Sequence, residues 1–255
     1  MVLVIDVGNT ETTIGIFESE KLSQRWSIST LIYRTADEWA VIIRTLFEMS
    51  NFSFSEIEGV VISSVVPTVD SYLSTAFIKH FSLTPFFVVP GIKTGINILY
   101  DNPSEVGADR VVDAVAVTNL YELPSLVIDF GTATTFDIID AQKNYLGGVI
   151  CPGLGISAEA LFTRTAKLPK VQIVKPKKII GKTTTSSIQS GLYYGYLSLV
   201  EGIVKRIRNE FGEFKTIIAT GGMSLLIAKD LPYINYIDED LTLKGLYIIY
   251  DKNRD

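Results

Sequence analysis

The sequence is poor in the residues that carry much of enzyme chemistry. It contains one cysteine, Cys151, and one histidine, His80. A single cysteine cannot form an intrachain disulfide, which fits a reducing compartment, and a single histidine excludes mechanisms and metal sites that need several. Chemistry in this chain is therefore expected from carboxylates, hydroxyls and backbone groups.

Positive charge and long apolar runs are also scarce. The chain has 23 basic and 28 acidic residues, a net charge of −5, so we expect no nucleic-acid partner. No apolar run reaches the length of about 18 residues that spans a bilayer, so no membrane partner is expected either. Met1 leads directly into an apolar strand without the segments of a secretory signal, which favours a cytoplasmic protein.

The composition that remains is that of a folded protein with an internal repeat. Hydrophobic residues make up 47% of the chain and charged residues 20%. Residues 3–16 align with residues 126–139 at an offset of 123, and seven of the fourteen positions are identical. Because 255 residues exceed the usual size of one domain, this half-length repeat predicts two domains, 1–115 and 116–255.

Hydrophobic patterns predict similar elements in the two halves. The first half is predicted to contain strands Val2–Val7, Thr12–Phe17, Arg25–Ser29, Gly59–Ser63 and Pro85–Val89, with helices Ala36–Met49 and Val69–Phe81. A helix Ser104–Tyr121 then leads to strands Ser125–Asp129, Phe136–Ile139, Tyr145–Ile150 and Lys215–Ala219 and helices Ile156–Thr163, Ser186–Asn209, Ser224–Lys229 and Leu241–Tyr250. Both halves therefore predict an α/β fold of mixed sheets with helices on their faces.

Each copy of the repeat is an apolar strand that ends in an aspartate, Asp6 or Asp129, followed by a glycine turn. Backbone N–H groups in such a turn, together with small polar side chains, can bind phosphate oxygens. A carboxylate at the end of an apolar strand is costly unless it is hydrogen-bonded, paired or close to a cation. The aspartates could simply cap their own turns, but a pair of such hairpins favours a polyphosphate site with bound cations.

A third glycine turn, Thr220-Gly221-Gly222, follows a predicted strand and precedes a predicted helix. Glycines at a helix start allow a ligand to approach the backbone closely, which suits the nucleoside part of a nucleotide. The motif alone is equally compatible with a structural turn. Combined with the two hairpins, it predicts a nucleotide-binding protein.

The segment from Tyr100 to Arg110 places an acidic and a basic residue at a predicted helix start. Asp109 could merely stabilise the helix dipole and Arg110 could be a surface charge. The functional alternative is that Asp109 deprotonates a substrate hydroxyl while Arg110 binds an anionic group of the same substrate. Gly107 would allow that substrate to approach closely.

Taken together, these motifs resemble the type III pantothenate kinases, within the superfamily of acetate and sugar kinases, Hsp70 and actin. The resemblance runs from Met1 to the last helix. It rests on Asp6-Val7-Gly8-Asn9-Thr10, Pro103, Gly107-Ala108-Asp109-Arg110, Asp129-Phe130-Gly131-Thr132-Ala133-Thr134-Thr135, Gly148, Pro152-Gly153, Thr184, Gln189-Ser190-Gly191 and Thr220-Gly221-Gly222. It implies two ribonuclease H-like (actin-like) domains with an interdomain nucleotide cleft.

The resemblance also implies roles for individual residues. ATP would be bound by Asp6, Val7, Gly8, Asn9, Thr10, Glu11, Thr12, Thr13, Thr132, Gly221 and Gly222. Pantothenate would be bound by Tyr100, Gly107, Ala108, Asp109, Arg110 and Thr184, with Arg164 a further candidate for a pocket completed by the neighbouring subunit. Asp109 would be the general base, Asp129 would bind K⁺ or NH₄⁺, and Asp6 would be a candidate for holding Mg²⁺ through water.

The implied reaction is phosphorylation of pantothenate to 4′-phosphopantothenate, the first step of coenzyme A biosynthesis. The family is dimeric, and the helix Ser186–Asn209 fits a homodimer interface. Its small and aromatic residues, Gly191, Gly195, Gly202, Tyr193, Tyr194 and Tyr196, are expected to pack across that interface, the alternative being packing within the core of the chain itself. Two alternatives have the same nucleotide motifs. One is a kinase of another small hydroxylated substrate such as a sugar, and the other is a nucleotide-binding regulator without turnover.

Overall fold

The structure is a computed structural model that describes residues 1–254. Its strands are β1 (Val2–Val7), β2 (Glu11–Glu18), β3 (Lys21–Ser29), β4 (Gly59–Ser64), β5 (Phe86–Phe87), β6 (Asn97–Ile98), β7 (Ser125–Phe130), β8 (Ala133–Ile139), β9 (Asn144–Pro152), β10 (Thr216–Thr220) and β11 (Tyr236–Ile237). Its α-helices are α1 (Ala36–Met49), α2 (Pro67–Ala76), α3 (Ala108–Leu120), α4 (Leu154–Thr163), α5 (Thr184–Phe211), α6 (Ser224–Ile227) and α7 (Leu241–Asn253).

These elements form two compact units. The first contains Met1–Ile96, Tyr100–Asn119 and the chain from Asp240 onward, and the second contains Asn97–Leu99 and Leu120–Glu239. No helix among residues 1–254 combines the length and the apolar character needed to cross a bilayer.

The first unit is a five-stranded mixed sheet with the strand order β3-β2-β1-β4-β5. Its central strand β1 pairs antiparallel with β2 and parallel with β4. Successive side chains of a strand point to opposite faces of the sheet. Accordingly Leu3 and Ile5 lie in a core with α1 and α2, while Val2 and Val4 lie in a second core with α3 and α7.

The second unit repeats this topology. Its order, β9-β8-β7-β10-β11, corresponds strand for strand to that of the first sheet, with β6 added beside β9 at the edge. The central strands β1 and β7 are buried except at one position, which is Asp6 in β1 and Asp129 in β7. The α/β prediction with mixed sheets is thus confirmed, and the sequence repeat corresponds to a structural repeat.

The helix before the second unit is shorter than predicted. A helix from Ser104 was expected, but α3 begins at Ala108, after a separate 3₁₀ turn, Pro103–Glu105. The Asn102 side chain accepts a hydrogen bond from the backbone N–H of Ser104, and Val106 has an extended backbone that ends the turn. This interruption places Asp109 in the first turn of α3.

The last helix lies in a different unit from the one predicted. The boundary 116–255 assigned it to the second half, but α7 belongs to the first unit. Leu243, Leu246 and Ile249 of α7 pack in the same core as Val112 of α3. In addition, the Thr242 hydroxyl donates a 2.7 Å hydrogen bond to Asp113. The last helix therefore completes one face of the first sheet.

The contact between α7 and α3 can be tested at Gly245. A Cβ atom at this position would lie 2.3 Å from the carbonyl oxygen of Val112, which is a backbone atom and cannot rotate away. We expect Gly245→Ala to lower the free energy of unfolding by about 1–3 kcal/mol, the usual cost of overpacking. Urea denaturation followed by circular dichroism measures this change.

Gly155→Ala in α4 is the matched control, because its Cβ would meet no atom within 4 Å. Alanine there should raise the free energy of unfolding by up to about 1 kcal/mol, as alanine is the better helix former. Equal effects of the two substitutions would contradict the close α7–α3 contact.

Candidate active site

The turn of the first hairpin joins β1 to β2. It is closed by a 3.0 Å hydrogen bond from the Gly8 N–H to the carbonyl oxygen of Glu11. Asn9 and Thr10, at its tip, are exposed. An exposed backbone turn with small polar side chains at its tip is suited to bind phosphate oxygens.

Asp6 precedes this turn, with hydroxyl-bearing residues on both neighbouring strands. It pairs in register with Thr13 on β2 and with Ser63 on β4. The pKa of the Asp6 carboxyl is raised from 3.8 to about 7, mainly by burial and also by the negative charge of Asp109, while the nearby Ser63 hydroxyl opposes the shift. Two carboxylates that repel each other in this way form a donor set that fits a hydrated divalent cation.

Asp109 is held at the start of α3 by local contacts. Its Oδ1 accepts a 2.8 Å hydrogen bond from the backbone N–H of Arg110. A Cβ atom at Gly107 would lie 2.4 Å from the same oxygen, so glycine at this position leaves room for the carboxylate as it is placed here. Arg110 is buried, with 7% of its surface exposed. The first unit thus brings together Asp6, Asp109 and Arg110.

In the second unit, Asp129 ends β7 in the same way. Its register partners are Thr135 on β8 and Thr220 on β10. A Cβ atom at Gly131 would lie 3.3 Å from Asp129 Oδ2, and one at Gly221 would lie 2.2 Å from Oδ1. Both glycines therefore allow the backbone to approach the Asp129 carboxylate closely.

The same contacts bring the third glycine turn to the second hairpin. Gly221 has a φ of +85°, which disfavours other residues. The exposed Thr132 lies in the hairpin turn, and its carbonyl oxygen accepts a 3.0 Å hydrogen bond from Gly153 N–H. Asp129, Thr132, Gly221 and Gly222, which were predicted from separate motifs, thus belong to one region of the second unit.

Tyr196 contacts this region from the core of the second unit. Its hydroxyl is hydrogen-bonded to that of Thr134. Burial raises the pKa of the Tyr196 phenol, and the negative charge of Asp129 contributes to this rise.

Tyr193 and Tyr196 are buried in the core of the second unit, so the expectation that these side chains pack across a dimer interface is wrong for both. Tyr194 is partly buried and donates to the Pro176 carbonyl.

Thr184 lies at the start of α5, beside an open cavity of about 970 Å³. The cavity is lined by residues of α4 and α5 and of the loop between them, among them Leu161, Lys182 and Leu192. Thr183 caps the helix by accepting a 3.1 Å hydrogen bond from the Ser186 N–H. Arg164 is exposed at the end of α4 and does not line this cavity.

Within residues 1–254, no three acidic, histidine or cysteine side chains gather into a group that could hold a metal ion. Any cation near Asp6 or Asp129 would therefore need further ligands in addition to carboxylates, such as water, carbonyl or phosphate oxygens.

Sequence reasoning missed Ser63, whose hydroxyl lies beside Asp6. Its position at the end of the next parallel strand was a usable signal, because the ends of parallel strands meet at one edge of a sheet.

Comparison with known proteins places these features in a family. A family model described as type III pantothenate kinase matches residues 2–206. The chain belongs to the type III pantothenate kinase family. A protein named type III pantothenate kinase from Bacillus cytotoxicus is 50% identical over 253 residues, covering 99% of this chain and 97% of that protein. One of the same name from Halalkalibacterium halodurans is also 50% identical, covering 99% and 100%.

Solved structures agree with this kinase in fold alone. A conserved protein of the Baf family from Campylobacter jejuni has a TM-score of 0.62 at 19% identity, covering 99% of this chain and 98% of that one. The activator of 2-hydroxyisocaproyl-CoA dehydratase from Clostridium difficile has a TM-score of 0.56 at 12% identity, covering 98% and 95%. The predicted actin-like fold class is confirmed, and membership of the family assigns pantothenate phosphorylation to this kinase.

The tight contact between Asp129 and Gly221 predicts a clear difference between two adjacent glycines. Gly221→Ala would force a Cβ against the carboxylate and impose a φ of +85° on alanine. We expect the free energy of unfolding to fall by about 1–3 kcal/mol, as for other residues held in sparsely populated backbone conformations. Gly222→Ala, whose Cβ would meet no atom within 4 Å, should change it by less than about 0.5 kcal/mol.

The raised pKa of Asp6 predicts a pH dependence of stability in metal-free buffer. Between pH 4 and 7 the Asp6 carboxyl of the folded protein keeps a proton that the unfolded chain has already lost. Protonated Asp6 therefore stabilises the fold at low pH, and this stabilisation is lost as the pH rises through 7. As the pH rises from 4 to 7, the free energy of unfolding of Asp6→Asn should therefore increase relative to that of the wild type, by at most about 4 kcal/mol. Urea unfolding in EDTA at several pH values measures the difference.

Asp37→Asn is a control of opposite sign in the same unit. Hydrogen bonds from Lys79 and then His80 lower the pKa of Asp37, so its contribution to stability is present above pH 4 and lost as the pH falls. This variant should be less stable than the wild type at neutral pH and approach it in acid. A difference between Asp6→Asn and the wild type that stays constant with pH would contradict the shift at Asp6.

Proposed function

We propose that Asp109 is the general base of the reaction, in which the primary hydroxyl of pantothenate attacks the γ-phosphorus of ATP. Asp109 takes the hydroxyl proton as the new P–O bond forms. The bond to the β-phosphate oxygen breaks, and ADP leaves with its electron pair. The products are 4′-phosphopantothenate and ADP.

The observation that carries this proposal is the position of Asp109 in the first unit. Its carboxylate lies within electrostatic reach of Asp6 at the end of the phosphate-binding hairpin, and Gly107 leaves space beside it. A general base must lie within hydrogen-bond reach of the hydroxyl that it deprotonates. A carboxylate next to the proposed phosphate site is suited to that role, and glycine at position 107 leaves room for the carboxylate oxygen.

Substrate recognition is proposed for the residues around this base. Arg110 is buried beside Asp109 and would bind the carboxylate of pantothenate, since a guanidinium forms paired hydrogen bonds with a carboxylate. Tyr100, Gly107, Ala108 and Thr184 would line the rest of the pantothenate site, and Arg164 remains a candidate for it.

The nucleotide is proposed to bind through both hairpins and the third turn. Residues 6–13 and Thr132 would hold its phosphates, with the buried Val7 and Thr12 acting by supporting the turn, and Gly221 and Gly222 would hold its nucleoside. Support comes from the exposed turn at Asn9 and Thr10 and from the contact between Asp129 and Gly221.

Two cations complete the proposed site. Asp6 would hold Mg²⁺ through water, and Asp129, between its two glycines, would hold K⁺ or NH₄⁺. When bound, such cations offset the charge of the phosphates and of the transition state. The homodimer and the cytoplasmic location stay predictions from the sequence.

An ADP-release assay with pantothenate tests the proposal. Turnover should require Mg²⁺ and should be faster with K⁺ than with Na⁺. Asp109→Asn should lower kcat by roughly 10²–10⁴-fold, the usual contribution of general base catalysis. Its KM for ATP should change little, because the base acts on the other substrate.

Asp251→Asn supplies the control, since Asp251 is an exposed residue near the end of α7 that pairs with Arg254. It should keep wild-type kinetics. Full activity of Asp109→Asn would rule out the base, and equal turnover of a sugar panel would favour the rival substrate class.

A further inference from the structure

Thr30 lies one residue beyond the end of β3, opposite the exposed turn of the first hairpin. Its backbone N–H donates a 3.0 Å hydrogen bond to the carbonyl oxygen of Thr10. Its hydroxyl lies 2.8 Å from the hydroxyl of Thr12. One residue therefore contacts the tip of the turn with its backbone and the second strand with its side chain.

Both hydroxyls are shielded from water. Thr12 has no exposed surface and Thr30 has 9%. A buried hydroxyl without a hydrogen-bond partner destabilises the folded state, because it has lost its hydrogen bonds to water and forms none within the protein. The pair therefore favours one geometry of the hairpin over others. By contrast, the nearby hydrogen bond from Ser27 to Glu11 is exposed to water, which can replace either partner.

The structural repeat supplies an internal comparison. At the offset of 123 residues, Thr30 corresponds to Gly153, and the Gly153 N–H donates a 3.0 Å hydrogen bond to Thr132 in the second hairpin turn. A backbone contact from this position to the hairpin turn is thus present in both copies, although Thr132 corresponds to Asn9, one residue before Thr10. The hydroxyl contact is possible only in the first, because a Cβ atom at Gly153 would lie 2.2 Å from the carbonyl oxygen of Thr132.

We propose that the Thr30 hydroxyl is a positioning group for ATP: through Thr12, it fixes the turn of the first hairpin in the conformation that receives the phosphates. The inference rests on the proposed role of that hairpin in ATP binding. Thr30 itself is buried, and no direct contact of its side chain with the nucleotide is proposed. Its effect should appear in the affinity for ATP and not in that for pantothenate.

A double-mutant cycle of Thr30→Val and Thr12→Val separates positioning from stability. Valine keeps the shape of threonine and removes the hydroxyl. Each single variant leaves one buried hydroxyl without its partner and should unfold at lower urea concentration. In the double variant both hydroxyls are gone, so the urea midpoint should return towards that of the wild type. Tryptophan fluorescence reports this unfolding, because both tryptophans, Trp26 and Trp39, lie in the first unit.

ATP binding is measured on the same proteins by calorimetry, independently of turnover. We expect Thr30→Val to weaken ATP binding by roughly 10-fold, since small displacements of binding groups have large effects on affinity and rate. The double variant should remain equally weak although its stability recovers. Thr30→Ser, which keeps the hydroxyl, should bind ATP within about two-fold of the wild type, and its KM for pantothenate should not change.

Thr75→Val on α2 is the matched control, because its hydroxyl bonds only to the carbonyl of Ser71 in its own helix. It should leave ATP affinity unchanged. Wild-type affinity in Thr30→Val, or in the double variant, would overturn the positioning role.

The two proposals fail in different ways. A wild-type protein that binds ATP but does not phosphorylate pantothenate would refute the proposed chemistry and leave the test of Thr30 intact. A wild-type protein that turns over pantothenate, with a Thr30→Val variant that binds ATP normally, would refute the positioning role alone.

Discussion

The need to keep a carboxylate at the end of each buried central strand governs much of this structure. In β1 and β7 every residue is buried except the aspartate, so each charge is delivered to the point where an apolar strand leaves the core. A charge in that position is costly without polar neighbours. The sheets supply them, because the register partners of Asp6 are Thr13 and Ser63 and those of Asp129 are Thr135 and Thr220. A hydroxyl can donate a hydrogen bond to a carboxylate without adding charge, so these neighbours leave the negative charge of the site available to offset a cation.

Space around these carboxylates is a second requirement, and glycine meets it. At Gly107 and Gly221 an added Cβ would lie within 2.4 Å of a carboxylate oxygen, and at Gly131 within 3.3 Å. The glycines of the three motifs therefore act less through flexibility than through the absence of a side chain. Only Gly221 among these three also has a backbone conformation that favours glycine.

Local patterns in the sequence predicted the elements well where the cause was local. Helix α1 was predicted with its observed bounds, since Thr35 forms a capping box with Glu38 and the apolar spacing that follows is regular. The two strand-end aspartates and the glycine turns that follow them were found because the motif repeats within the chain. The placement of α7 was not predictable, since its packing against α3 depends on residues more than 120 positions apart that share no pattern. For the same reason the sequence did not reveal Ser63, because its position beside Asp6 follows only from the pairing of β4 with β1.

In both hairpins the residue after the third strand donates a backbone hydrogen bond to the turn, but the hairpins differ in the side chains that hold them. In the first, a threonine at position 30 adds a buried hydroxyl contact to the backbone bond. In the second, Gly153 allows a closer approach to Thr132, and α4 begins directly after it, where Leu154 is buried in the core. A turn fixed by side chains can stay exposed at its tip, whereas a turn fixed by close backbone packing depends on the helix that follows it. This difference fits the two proposed roles, since the first turn exposes Asn9, Thr10 and Glu11 for phosphate binding, whereas the second exposes Thr132 alone and is packed closely beside Asp129.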